Sequence, residues 1–126
     1  MKDDVIESLV VAVLSVNNYR LEKTWALLPR FRVARVTDPK FVVTQDLASL
    51  TVLLSSSGYD RGTLTGLFAE RIKDLMTAIE SGELDELTGA LQSHDDKRTE
   101  EILCKVRGVG KRVAANAIIL LLSEKK

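Results

Sequence analysis

Six basic side chains fall within the sixteen residues from 97 to 112: Lys97, Arg98, Lys105, Arg107, Lys111 and Arg112, against only Glu100 and Glu101. They surround Gly108-Val109-Gly110, whose glycines permit a sharp reversal and whose valine can turn inward as an anchor. A chain that reverses there and enters a helix presents backbone N–H groups at a helix N-terminus, where the partial positive charge favours a phosphate. The chemistry on offer is anion binding: Gly108, Val109 and Gly110 make the contact, and Lys105, Arg107, Lys111 and Arg112 assist. Such a device grips a sugar–phosphate backbone without reading base sequence. The competing interpretation is a tight helix–helix turn with solvated basic residues around it.

The frame on either side matters as much as the turn. Ile102, Leu103 and Val106 close one amphipathic pattern, and Val113, Ala114, Ala117 and Ile118 open the next. Together these imply a helix-hairpin-helix over about residues 98–122, with Ala114 and Ala115 allowing close approach of its two helices.

Composition limits what else the chain can do. At 126 residues it is expected to form a single all-helical domain over residues 1–126. Eighteen basic and eighteen acidic residues cancel, so no global field drives it onto nucleic acid and binding must come from a local patch. One cysteine, Cys104, excludes an internal disulfide and a four-cysteine metal or iron–sulfur site. One histidine, His94, leaves little for metal chemistry or a histidine triad, so neither cofactor nor metal is expected. Asp3 and Asp4 stand where a signal peptide carries its basic lead, and the apolar run Leu9–Leu14 is short for a membrane span. The expectation is no membrane association and a cytoplasmic location, nucleoid-associated if the source is prokaryotic.

The periodicity is helical almost throughout, which predicts an all-α fold of about eight helices with short connections. Asp3 and Asp4 cap a first helix running to about Ser15, apolar around most of its girth and therefore central. Asn17 and Asn18 end it. A second helix over about Leu21–Leu28 stops at Pro29, and residues 30–37 form a basic, irregular connection. Asp38-Pro39 starts a short helix, and another runs from Asp46 to Leu54 with Leu47, Leu50 and Leu54 on one face. After a turn at Ser55–Tyr59, Leu64, Leu67, Phe68, Ile72, Leu75, Met76 and Ile79 form one apolar stripe that Gly82 closes. Leu84, Leu87 and Leu91 mark a further short helix. Asp95-Asp96 is read as a helix cap rather than a metal pair, and Trp25 and Cys104 as core residues.

In this order the segments resemble the endonuclease III superfamily of DNA glycosylases, over nearly the whole chain. Ile6–Leu28 is similar to the family's first barrel helix, polar turn and second helix, and Asp38-Pro39-Lys40-Phe41 to the short helix that follows. Leu50–Leu67, with Ser57-Gly58-Tyr59 at its turn, is similar to the family's segment of glycine, bulky residue and helix. Gly82-Glu83-Leu84-Asp85 and Val106–Ala117 look most like the alkyladenine-glycosylase branch. The resemblance implies a compact six-helix barrel domain. It also places Asn17 where relatives fill the gap left by a flipped base, and Tyr59 where they carry an intercalating wedge. A helix-ending Asn17 and a surface or half-buried Tyr59 are the plainer alternatives.

The family's chemistry is not matched residue for residue. Its bifunctional members carry a lysine nucleophile two residues past the second hairpin glycine; that position is Arg112, whose guanidinium stays protonated and forms no Schiff base. Lys111 is one residue away, about 100° around a helix. The family's aspartate lies past the second hairpin helix, beyond Lys126, and its second helical domain has no counterpart here. The expectation is a DNA-binding module that grips the phosphate backbone of double-stranded DNA and has no catalytic residue of the usual kind. The alternatives are an active glycosylase using a carboxylate such as Glu7 or Asp60, and a helical structural or protein-interaction domain. Apolar surface is expected on the first and last helices, to be covered in a homodimer or by a separate partner subunit.

Overall fold

The computed structural model describes residues 3–15, 21–106 and 109–124, the last three of these by backbone alone. Among them there are nine α-helices, one 3-10 turn and no strand. The helices are α1 (Asp3–Leu14), α2 (Leu21–Ala26), α3 (Leu28–Val33), α4 (Pro39–Val42) and α5 (Leu47–Ser56), then α6 (Thr65–Glu80), α7 (Leu87–Gln92), α8 (Asp96–Cys104) and α9 (Lys111–Glu124). The 3-10 turn spans Gly62–Leu64, ahead of α6. None of the helices among the described residues is long and apolar enough to cross a membrane.

The central helix is α1, buried at Ile6 and at every residue from Ser8 to Leu14. It lies against α9, α6 and α2, while α6 also carries α4 and α5, and α8 lies between α7 and α9. Of the buried hydroxyls on α1 and at its end, that of Ser8 has no hydrogen-bond partner among the described residues, whereas that of Ser15 is paired. The Ser15 hydroxyl lies 2.6 Å from the Val11 carbonyl and 2.8 Å from the Thr24 hydroxyl, joining α2 to the end of α1.

Capping follows the sequence closely. Asp38, Asp46 and Asp95 accept hydrogen bonds from the N–H groups of Lys40, Ser49 and Arg98 at 3.1, 2.7 and 3.1 Å. Hydrogen bonding from Ser49 holds the Asp46 carboxyl below its ordinary range. Asp95 is thus a cap.

Four helices close on a residue with positive φ: Gly58 at 99°, Gly82 at 86°, Arg35 at 64° and His94 at 57°. Each has the paired bonds of a Schellman turn; at the end of α7, His94 N–H donates to Leu91 O at 3.2 Å and Asp95 N–H to Ala90 O at 3.0 Å. Arg35 has compensation, since it pairs with Asp38 at 3.1 Å and lies 4.5 Å from the Phe41 ring centroid. His94 is exposed and holds a left-handed conformation that its β-carbon opposes. His94→Gly should therefore stabilise the protein by about 0.5–1 kcal/mol, after glycine's larger unfolded-state entropy is counted. A urea unfolding midpoint that moves up at constant slope would agree; a lower midpoint would mean that the imidazole makes a contact worth more than the strain.

Several expected inward faces turn out otherwise. Pro29 does not stop a helix but occupies the first turn of α3, where its missing N–H costs nothing, and part of the expected irregular connection is helical. Burial of Leu28 and Phe31, three residues apart, selects the helix there. Trp25 is 39% exposed because Thr24 takes the inward position of the six-residue α2. Cys104 is exposed, since Thr99, Ile102 and Leu103 make the buried side of α8. Leu47, Leu64 and Leu67 lie at the open ends of their apolar stripes and also reach solvent.

Candidate nucleic-acid interface

The turn between α8 and α9 is held from inside. Val106 and Val109 are both buried, and Val109 N–H donates to the Val106 carbonyl at 3.0 Å. Val113, Ala114 and Ala117 continue the buried stripe into α9, which packs on both α8 and α1. Val109 is thus an inward anchor. Ala114 is fully buried while Ala115 is exposed, so the expected close approach rests on Ala114 and not on its neighbour.

Outside that stripe the surface is basic. Lys105, Gly110, Lys111 and Arg112 are all exposed, and among the described residues no carboxylate pairs with these three cations. Lys105 caps the C-terminus of α8, where a cation suits the helix dipole. Lys111 and Arg112 are different. They are the first two residues of α9, at the positive end of its dipole, and the first turn holds no acidic residue. Gly110 has an ordinary φ, and a β-carbon there would meet nothing within 4 Å. Its missing side chain therefore relieves neither strain nor crowding; it leaves the start of α9 uncovered. The first intrahelical bond is Ala114 N–H to Gly110 O at 3.0 Å, so the preceding amides lie outside the helical ladder.

Of the other expected contacts, Arg107, Gly108 and Asn17 lie outside the described residues. Of the remaining basic residues in the cluster, Arg98 is tied to Glu86 and Lys97 is exposed. Tyr59 is a correction. It is neither a surface nor a half-buried aromatic but 0% exposed, its ring edge-on to Phe31 and Phe68 with centroids 6.3 and 5.9 Å away. Its hydroxyl donates to the Leu14 carbonyl at 2.7 Å. A ring so placed cannot wedge between bases without dismantling the core.

Around Tyr59 the fold gathers a group whose members no motif along the chain connects. Arg61 Nη1 donates to the Tyr59 hydroxyl at 3.2 Å, and its guanidinium lies 4.8 Å from the Phe68 ring centroid. Arg71 lies 5.4 Å from the same ring. These arginines are spent on aromatic faces, and only the burial of Tyr59 makes their arrangement intelligible.

The two carboxylates that were candidates for chemistry have structural work. Glu7 receives Arg32 Nε at 2.5 Å and Arg32 Nη2 at 2.8 Å, a two-pronged ion pair joining α1 to α3. Hydrogen bonding to Glu7, with its charge, raises the Arg32 pKa further. Asp60 accepts from Gly62 N–H at 3.0 Å and shapes the turn before α6. Among the described residues no group of three or more His, Cys, Asp or Glu side chains is placed to hold a metal. In comparisons with known proteins, the chain matches no family model, no curated protein and no solved structure.

Proposed function

We propose that this protein is a DNA-binding module that holds the phosphate backbone of duplex DNA at the α8–α9 turn, without glycosylase chemistry. One observation carries the proposal: α9 begins with Lys111-Arg112 at its positive end, whereas α1 and α8 carry acidic residues in their first turns and α5 has an aspartate cap. Each misplaced cation costs a helix about 0.3–1 kcal/mol, so folding alone gives no reason for the pair. An anion bound there would be favoured by both side chains, by the helix dipole and by the amides that open α9. The inward anchor Val109, the open Gly110 and the resemblance to helix-hairpin-helix glycosylases support the same assignment.

The grip would be non-specific and salt-dependent, because it releases counterions and touches no base edge. In a titration of a plain duplex across salt concentration, log affinity should fall linearly with log salt. Lys111→Ala with Arg112→Ala should flatten that slope by about 2, since each lost phosphate contact removes nearly one unit. Lys40→Ala, on α4, serves as the control and should change the slope little. A slope identical in the double variant and the parent would sink the assignment. Duplexes carrying alkylated, oxidised or uracil bases should be bound and left uncut; base release would restore the enzyme reading.

A further inference from the structure

Among the described residues, exposed apolar side chains are not confined to the first and last helices. The first helix is covered, and besides Ile119 on α9, which is 57% exposed, the described residues expose Val33 of α3 at 86% and Val52 of α5 at 65%. From Leu47 to Tyr59 there are thirteen residues without a single charge, although Leu47, Ala48, Val52 and Ser56 all face solvent. Depletion of charge together with exposed aliphatic groups marks the centre of a protein interface. The outer side of α5 separates two grooves that share Leu53. One, of about 540 Å³, lies against Pro29, Val33 and Ala34 of the α3 segment; the other, of about 440 Å³, lies against Phe41 of α4.

The charges at the two ends of this helix identify what covers it. Asp46 stands at the N-terminal end of α5 as its cap. At the C-terminal end is Arg30, which lines the first groove with Ser56 and Ser57 and whose Nη1 lies 3.3 Å from where a β-carbon on Gly58 would stand. Lys73 is also near the Asp46 end, but its ammonium is held on the Gln45 carbonyl at 2.7 Å. A ten-residue helix is about 15 Å long, so an antiparallel copy of α5 would bring each Asp46 to the opposite Arg30. The same alignment would carry each exposed Leu47 toward the groove beside Val33 in the other copy. A face that is uncharged in the middle and oppositely charged at its ends is complementary to itself under two-fold rotation.

We infer that this chain forms a two-fold homodimer in which α5 packs antiparallel on α5 of a second copy, with Arg30 and Asp46 pairing across both ends. The inference is independent of the DNA assignment. Sedimentation velocity of the full chain should show a dimer at micromolar concentration. Val52→Glu, at an exposed position, should return it to a monomer with an unchanged circular dichroism spectrum. Arg30→Glu should weaken association by about ten-fold or more, corresponding to some 1.4 kcal/mol. As a measurement that does not depend on those variants, Val52→Cys in a Cys104→Ser background should form an intermolecular disulfide on mild oxidation, and Ile119→Cys in the same background should not. A monomer throughout, a dimer indifferent to Val52→Glu, or cross-linking at position 119 in place of 52 would each overturn the assignment.

Discussion

Tyr59→Ala should lower the unfolding free energy by about 3–5 kcal/mol, and Tyr59→Phe by about 1–3 kcal/mol, read from urea or guanidinium denaturation. The larger loss follows from complete burial between Phe31 and Phe68, in edge-on contacts that add to the transfer of the ring from water. The smaller one isolates the hydroxyl. That group donates to the Leu14 carbonyl at 2.7 Å, at the end of α1, and accepts from Arg61 Nη1 at 3.2 Å. Phenylalanine keeps the ring and takes away the Leu14 carbonyl's donor in a buried setting, which is more expensive than the bond's net value. At matched folded fraction, Tyr59→Phe should bind duplex DNA like the parent. If alanine there spared stability and abolished duplex binding, the tyrosine would have to work at a surface, against its burial.

Ala114→Leu and Ala115→Leu are expected to part company although the residues adjoin. Ala114 is 0% exposed at the start of α9, on the stripe shared with Val113 and Ala117; Ala115 faces solvent. Leucine at 114 must push α9 off its neighbours or adopt a strained rotamer, at about 1–3 kcal/mol. At 115 it should stay within about 0.5 kcal/mol of the parent. Because the α8–α9 turn is anchored through Val106, Val109 and Val113, displacement of α9 should also weaken duplex binding, while Ala115→Leu leaves it intact. Equal effects at both positions would mean that helix approach at this turn is not governed by side-chain volume.

Much of the helical outline was legible along the chain. Asp38, Asp46 and Asp95 announce helix starts because a short carboxylate reaches its own backbone N–H groups, a contact spanning three residues that needs no tertiary help. Gly58 and Gly82 announce helix ends for the equally local reason that a left-handed φ suits glycine. Arg35 and His94 make the same turn without that signal. Their conformations are imposed by buried neighbours, Phe31 and Val36 around the first and Ala90 and Leu91 before the second.

Order along the chain thus determined the helical class, the caps that begin α4, α5 and α8, and the concentration of positive charge around one turn, because all of these arise within a few neighbouring residues. Which side of each helix meets the interior was decided only by packing. A helix of six residues makes fewer than two turns, too few for its apolar pattern to single out one face. So Thr24 displaced Trp25 from the core, and Tyr59 left the surface for the space between Phe31 and Phe68, since volume and hydrogen-bond partners there come from segments distant in sequence.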